Sequence, residues 1–143
     1  MSAPHEIENL TAKAFFPRLG EPLPKVFKAK CTDGVELHCF LHKACPKATR
    51  GQTSSQTLVY FHGNGEVVGN ILRRSDMKGL PFLFDAFCVL GIDIFLAEYR
   101  GYGTSGGSPS IDALMSDVGP VHEALNVPQE SIIVMGRCPG LDH

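Results

Sequence analysis

Three short apolar runs predict the principal strands of this chain. They span residues 58–61, 92–97 and 131–135, and each is soon followed by a glycine. Runs of this length without regular polar alternation are typical of strands that are buried on both faces of a parallel sheet. We therefore predict a parallel sheet built from these three segments.

The region before the first run carries the signal of an antiparallel hairpin. Residues 26–32 and 35–42 favour strands and flank Asp33-Gly34, a dipeptide common in tight hairpin turns. The polar residues 43–56 predict an exposed loop after this hairpin.

Helical periodicity follows the first and the second apolar run. Residues 66–77 predict a helix with four apolar side chains on one face. These are Val67, Val68, Ile71 and Leu72. A second apolar segment, residues 81–90, ends at Gly91.

A further amphipathic helix is predicted after the loop that contains Pro109. Its apolar residues recur at i, i+3, i+4 and i+7, namely Ile111, Leu114, Met115 and Val118. Pro109 and the serines beside it suit the start of this helix. Gly119-Pro120 is expected to kink the helix or end it early.

Together these elements predict an α/β protein in which a hairpin leads into a parallel sheet with flanking helices. Residues 1–24 are punctuated by proline and lack periodicity, so we expect a loosely attached lead-in segment. Residues 25–143 form the domain. Ligands of such sheets bind at the carboxyl ends of the strands, where the loops 62–65, 100–103 and 136–138 lie.

Composition excludes several classes of function. The net charge of −2 over 143 residues, without a basic stripe, argues against nucleic acid as a partner. The N-terminus lacks the features of a signal peptide, and no apolar stretch is long enough to span a membrane. Five cysteines, an odd number without a CxxC pair, favour free thiols in a reducing compartment over disulfides or a zinc site. We therefore expect a cytoplasmic protein without a metal ion.

Residues 101–106 match the GxGxxG pattern of dinucleotide-binding turns. In those turns the third glycine packs a helix directly against the strand, so that the pyrophosphate meets the helix N-terminus. Here Gly107-Ser108-Pro109 separates the motif from any helix. A nucleotide site is therefore the weaker interpretation, and no cofactor is expected.

Three motifs together resemble the α/β-hydrolase superfamily. They are Tyr60-Phe-His-Gly-Asn-Gly65, Glu98-Tyr-Arg-Gly-Tyr-Gly-Thr-Ser-Gly-Gly-Ser-Pro-Ser110 and Ile132-Ile-Val-Met-Gly-Arg-Cys-Pro-Gly140. Their order and spacing are similar to those of the branch that contains serine esterases, palmitoyl-protein thioesterases and serine-aminopeptidase-like proteins. The resemblance covers about residues 25–140 and implies the N-terminal half of the fold, with acyl transfer from an ester or thioester substrate as its chemistry.

The resemblance implies a role for each matched position. Cys138 occupies the nucleophile position of the elbow, where this branch normally has serine, and Asn64 would supply an oxyanion-hole N–H. The remaining matched residues would form the supporting loops: His62, Gly63, Gly65, Arg100, Gly101, Tyr102 and Gly103. The family's catalytic acid and histidine follow the elbow and have no counterpart in this chain.

Pro139 argues against catalysis by Cys138. The backbone N–H after the nucleophile is normally the second oxyanion donor, and proline has none. Loss of one such donor costs about 10²–10³ in rate. Asp142 and His143 are adjacent in sequence and have no scaffold to hold them in catalytic geometry. We therefore expect this chain to be inactive alone.

The end of the chain suggests a truncated protein. Removal of one nucleotide from a plausible codon sequence for residues 138–143 restores Gly-Arg-Ser-Leu-Gly-Ser, a common elbow in this branch. We therefore expect these residues to be an out-of-frame tail or a genuine truncation, with the strand before them left as an uncovered edge. Two alternatives stay open, a small cysteine hydrolase that uses Cys138 and a non-catalytic interaction module.

Overall fold

A computed structural model of the chain describes residues 14–73 and 80–137. Five strands form one mixed sheet in the order β1-β2-β4-β3-β5. Their bounds are β1 Phe27–Lys30, β2 Glu36–His42, β3 Gln56–Phe61, β4 Ile92–Ala97 and β5 Ile132–Gly136. Strand β1 pairs antiparallel with β2, and β2 with β4, while β3 is parallel to both β4 and β5. The predicted hairpin and the three predicted parallel strands are therefore confirmed.

In the described part of the chain, three helices flank the sheet: α1 Val68–Arg73, α2 Leu80–Val89 and α3 Ile111–Leu125. A short 3₁₀ turn, Gln129–Ser131, leads into β5. The predicted helix over 66–77 begins at Val68, and its residues 74–77 lie outside the described part of the chain. The apolar segment 81–90 is helical as far as Val89, and the positive φ of Gly91, 75°, allows the turn into β4.

The core has two parts, one on each face of the sheet. One apolar cluster joins β1 and β2 to Val121 of α3, with Phe95 at its centre. The other joins β3 and β4 to Val68 and Ile71 of α1, and Phe87 of α2 packs against it. The helices therefore cover both faces, as the continuous apolar character of β3 and β4 requires.

Helix α3 begins as predicted and continues past Gly119-Pro120. Ser110 caps it through Oγ, which accepts the backbone N–H of Ala113 at 3.1 Å, so the predicted start is confirmed. Of the two outcomes predicted for Gly119-Pro120, a kink or an early end, the early end is wrong, since the helix continues to Leu125. Pro120 is buried, and its packing offsets the lost backbone hydrogen bond.

The apolar stripe that identified α3 in the sequence is largely exposed. Met115 is 71% exposed and Val118 49%, whereas Asp117, Pro120 and Val121 face the sheet. The apolar periodicity therefore predicted the position of the helix correctly. It did not predict which face of the helix is buried in the described part of the chain.

The lead-in segment is attached more firmly than predicted over residues 14–24. The backbone N–H of Glu21 donates to Asn70 Oδ1 at 3.0 Å, and Arg73 forms an ion pair with the carboxylate of Glu21 at 2.9 Å. A Cβ added at Gly69 would lie 1.8 Å from the carbonyl oxygen of Glu21, so glycine is required where the segment crosses α1. The expectation of a loose segment is wrong for these residues, and residues 1–13 lie outside the described part.

Candidate active site

A cavity of about 200 Å³ opens at the carboxyl ends of β3, β4 and β5. Its walls come from the loops after these strands, from α3 and from the lead-in segment. The lining residues are Ala14, Phe15, His62, Asn64, Tyr99, Tyr102, Leu114 and Arg137. This is the end of the sheet at which the topology places a ligand site.

The turn after β3 is held by the carboxylate of Glu66. Glu66 Oε2 accepts the backbone N–H of Gly63 at 2.7 Å, and the N–H of Glu66 donates to the Gly63 carbonyl at 3.1 Å. Gly65 has a φ of 80°, which lets the chain turn sharply between Asn64 and Glu66. Within residues 14–73 and 80–137, the backbone N–H of Asn64 has no acceptor. This N–H is therefore available to a ligand.

The same Glu66 also contacts the end of β5. Its Oε1 accepts from Arg137 Nη1 at 2.6 Å, and the backbone N–H of Arg137 donates to the carbonyl of Phe61 at 3.0 Å. Arg137 directly precedes Cys138 in the sequence. The turn that contains Asn64 and the strand that leads to position 138 are thus joined by one carboxylate.

The side chain of Asn64 is used to anchor the lead-in segment. Its Oδ1 accepts the Phe16 N–H at 2.9 Å and the Tyr102 hydroxyl at 2.7 Å, and its Nδ2 donates to the Ala14 carbonyl at 2.6 Å. The carboxamide oxygen accepts two bonds and the amide nitrogen donates one, so the side chain is held in place by three contacts. They also place Phe15 in the wall of the cavity.

His62 and Glu98 form a buried pair beneath the cavity. His62 Nε2 lies 2.6 Å from Glu98 Oε1, and the side chains are 0% and 2% exposed. His62 Nδ1 lies 2.9 Å from the carbonyl oxygen of Gly63, which can only accept, so Nδ1 carries a proton. The N–H groups of Tyr99 and Val68 donate to the Glu98 carboxylate at 3.0 and 2.9 Å. Both ring nitrogens of His62 are thereby occupied, so the residue is held as a support and is not free to act as a base.

Two tyrosines complete the aromatic wall. The Tyr99 hydroxyl donates to the carbonyl of His62 at 2.6 Å, and its ring lies 4.3 Å from the imidazole. Burial raises the pKa of Tyr99, and the negative charge of Glu98 raises it further. Burial likewise raises the pKa of Tyr102. Both phenols therefore stay neutral and serve as hydrogen-bonding groups.

Arg100 lies away from the cavity and joins α3 to the hairpin turn. Its Nη2 lies 2.6 Å from Asp117 Oδ1, and its Nη1 is 2.5 Å from Asp33 Oδ2. Hydrogen bonds to Asp117, and next to Asp33, raise the pKa of Arg100. The hydrogen bond from Arg100 lowers the pKa of Asp33. Arg100 therefore positions the loop after β4 through its neighbours and does not line the cavity itself.

The first two glycines of the GxGxxG pattern donate their backbone N–H groups to carbonyls of the protein itself. The N–H of Gly101 donates to the Gly106 carbonyl at 2.9 Å, and that of Gly103 to the Arg18 carbonyl at 2.8 Å. Both glycines have positive φ, 72° and 55°. Because these N–H groups are already bonded and α3 begins only at Ile111, the loop does not present them to a phosphate.

Cys138 lies outside the described residues, as do Pro139, Asp142 and His143. The structure does bring together His62, Gly63, Asn64, Gly65 and Tyr102 at one end of the sheet. Sequence reasoning missed Glu66, Arg137 and the lead-in residue Phe15. Glu66 directly follows the predicted loop 62–65, and Arg137 lies in the predicted loop 136–138, so their charge at strand ends was the available signal. The sequence around Phe15 carried no such signal.

In the described ranges, three or more His, Cys, Asp or Glu side chains nowhere meet in a way that would hold a metal ion. Among the same residues, none of the helices has both the length and the apolar character needed to cross a bilayer.

A helix-flanked mixed sheet with its cavity at the strand carboxyl ends defines an α/β protein of the doubly wound type.

No protein-family model matches the chain. Curated relatives include the protein bem46 of Schizosaccharomyces pombe, which is 41% identical over 120 residues, covering 77% of this chain and 36% of that protein. The α/β hydrolase domain-containing protein WAV2 of Arabidopsis thaliana is 31% identical over 113 residues, covering 76% of this chain and 32% of that protein.

Solved structures agree with these relatives in fold. An esterase of Pyrococcus furiosus superposes with a TM-score of 0.56 at 19% identity, covering 85% of this chain and 47% of that one. The α/β hydrolase GrgF from a Penicillium species gives a TM-score of 0.54 at 24% identity, covering 81% and 38%. The chain belongs to the α/β-hydrolase superfamily. It spans about a third of the length of the curated relatives named above.

Proposed function

We propose that this chain supplies the oxyanion side of a site that cleaves esters or thioesters by acyl transfer. The observation that carries the proposal is the bridge of Glu66, which ties the turn of Asn64 to Arg137, the residue before position 138. A nucleophile at position 138 and the free N–H of Asn64 would then flank one cavity. This is the arrangement that acyl transfer requires.

The proposed reaction follows from these positions. A nucleophile at position 138 attacks the carbonyl carbon, and the carbonyl oxygen becomes an oxyanion that accepts from the Asn64 N–H. Collapse of this intermediate expels the alcohol or thiol and leaves an acyl-enzyme, which water then hydrolyses with the help of a base. The neutral aromatic and apolar wall, with Phe15, Tyr99 and Leu114, suits an uncharged acyl group.

We further propose that this chain does not turn over by itself. The one histidine that lines the cavity in the described chain, His62, has both nitrogens engaged, so it cannot take the proton of a nucleophile. Pro139 has no N–H to offer as a second oxyanion donor. A nucleophile at position 138 would therefore lack both a base and half of the oxyanion hole.

Hydrolysis of p-nitrophenyl butyrate by the purified chain tests this proposal. We expect no release of p-nitrophenol beyond one equivalent of chain. Sustained turnover that is lost in Cys138→Ala and kept in Cys45→Ala would overturn it. That result would support the alternative of a small cysteine hydrolase.

A second candidate function, a non-catalytic interaction module, is favoured by exposed apolar side chains. Met115 is 71% exposed on α3 and Val134 is 67% exposed on β5. A folded partner that co-purifies with the chain and with Cys138→Ala, but not with Met115→Glu, would support this function. The odd number of cysteines leads us to propose a cytoplasmic location for either function.

A further inference from the structure

Two half-buried cysteines from distant parts of the sequence meet beside the loop that follows β2. Cys45 lies three residues after β2, and Cys88 lies in the last turn of α2. The backbone N–H of Cys45 donates to the carbonyl of Cys88 at 3.3 Å, and both thiols are free. This direct backbone hydrogen bond brings the two residues close together, as a disulfide requires, since its Cα atoms lie about 4.4–6.8 Å apart.

The backbone on each side of this contact is fixed by other bonds. The N–H of Ala44 donates to the buried carboxylate of Asp93 at 2.8 Å, which anchors the chain directly before Cys45. The N–H of Gly91 donates to the Cys88 carbonyl at 3.2 Å, which closes the end of α2. The two cysteines are therefore held next to each other by the backbone bonds on either side of them.

The two side chains also interact with each other. Desolvation raises the pKa of the Cys88 thiol, and a hydrogen bond with the Cys45 thiol raises it further. By contrast, Cys31 and Cys39 are only 3% and 0% exposed, so that a dissolved oxidant cannot reach them. Within residues 14–73 and 80–137, Cys45 and Cys88 are the two thiols with partial access to solvent.

We propose that Cys45 and Cys88 are a thiol-oxidation site that forms a reversible disulfide and takes a low-molecular-weight disulfide, such as oxidised glutathione, as its oxidant. The Cys45 thiolate attacks one sulfur of glutathione disulfide, and the first glutathione leaves as a thiolate. The Cys88 thiolate then attacks Cys45 Sγ in the mixed disulfide and releases the second glutathione. Two electrons pass from the cysteines to glutathione, and the two protons that the cysteines lose are taken up by the glutathione thiolates.

The disulfide would join the loop after β2 to the end of α2. Both lie at the end of the sheet opposite the cavity that Asn64 lines. A second cavity of about 330 Å³ lies next to them, and Lys43, Ala44 and Asp93 are among the residues that line it. Oxidation would therefore stiffen the wall of this second cavity. The inference does not depend on acyl transfer.

Peptide mapping of the 143-residue chain tests the site directly. The chain is equilibrated with oxidised glutathione, alkylated with iodoacetamide and digested without reductant, and the products are identified by mass spectrometry. We expect a peptide pair joined by Cys45 and Cys88 as the main disulfide, with Cys31 and Cys39 alkylated only after unfolding. Separate glutathione adducts on Cys45 and Cys88, or a bond from either of them to Cys138, would overturn the proposal.

Two variants sharpen this result. In Cys45→Ser we expect Cys88 to remain largely reduced and to carry at most a glutathione adduct, whereas Cys31→Ala, as the matched control, should form the Cys45–Cys88 bond as before. In the oxidised native chain, amide hydrogen exchange of residues 46–52 should slow by about tenfold, since the loop is tied at its start. Unchanged exchange in a chain shown to be cross-linked would contradict the proposed stiffening.

Discussion

Glu66 and Arg137, which are 71 residues apart, form a 2.6 Å ion pair across the open end of the sheet. The other carboxylate oxygen of Glu66 holds the N–H of Gly63 at 2.7 Å. One side chain therefore contacts both the turn after β3 and the end of β5, beyond the last backbone bond between these strands. A candidate oxyanion donor, the N–H of Asn64, lies on that turn.

Glu66→Gln should loosen this turn at a modest cost in stability. The Arg137 side chain is 51% exposed, so solvent screening limits the ion pair to about 1 kcal/mol or less. We expect the amide proton signal of Gly63 in NMR spectra to move upfield, because its acceptor loses the negative charge. Glu21→Gln, which removes the ion pair with Arg73, is the control and should leave the Gly63 signal in place. An unmoved Gly63 signal in Glu66→Gln would refute the bridge.

Glu98→Gln should be far more costly than Glu66→Gln. It breaks a pair whose side chains are 0% and 2% exposed, and removal of one partner from such a pair costs about 3–5 kcal/mol. Urea unfolding measures the loss of free energy of unfolding. Glu36→Gln is the comparison, because its partner Lys28 is 60% exposed and little change is expected. Equal stability of the two variants would show that His62 and Glu98 are not paired in solution.

Asn64→Pro should slow acylation at position 138 by about 10²-fold relative to Asn64→Ala, since only the proline removes the backbone N–H that would stabilise the oxyanion. Asn64 does not have a positive φ, the backbone conformation that proline cannot adopt. The measurement is the single acylation of Cys138 by p-nitrophenyl acetate, followed by mass spectrometry.

Both Asn64 variants lose the carboxamide, so the comparison isolates the N–H. Disulfide exchange of Cys138 with Ellman's reagent forms no oxyanion, and it should proceed equally in the two variants. Equal acylation rates would rule out Asn64 as the donor.

Alkaline pH should destabilise the fold through two buried cysteines. Burial, followed by a hydrogen bond to Asp117, raises the pKa of Cys31 from 9.0 to about 11, and burial raises that of Cys39 to about 12. The unfolded chain therefore loses these protons at a lower pH than the folded chain does. This stabilisation is complete below pH 9 and is lost as pH rises from 9 through 11 to 12.

Urea unfolding between pH 8 and pH 11 checks this expectation. The free energy of unfolding should fall above pH 9 in the native chain and fall less in the Cys31→Ala, Cys39→Ala double variant. Cys45→Ala should retain the decline of the native chain. A decline of equal size in the double variant would assign the effect to other groups.

Local patterns in the sequence predicted most elements of the fold. The runs 58–61 and 92–97 are strands because their apolar side chains suit burial on both faces of a sheet. Asp33-Gly34 makes the hairpin turn, and Ser110 caps α3. These features depend on neighbouring residues, so they are visible without the tertiary structure.

The amino-acid sequence by itself determined the strands, the glycine turns after them and the class of fold. Only the tertiary structure decided which face of α3 is buried, that Glu66 meets Arg137, and that the Asn64 carboxamide holds the lead-in segment. The bonds of Asn64 to Ala14 and Phe16, and of Glu66 to Arg137, join residues 48 to 71 positions apart. No local periodicity encodes such pairs, because they form only when the sheet brings the ends of its strands together.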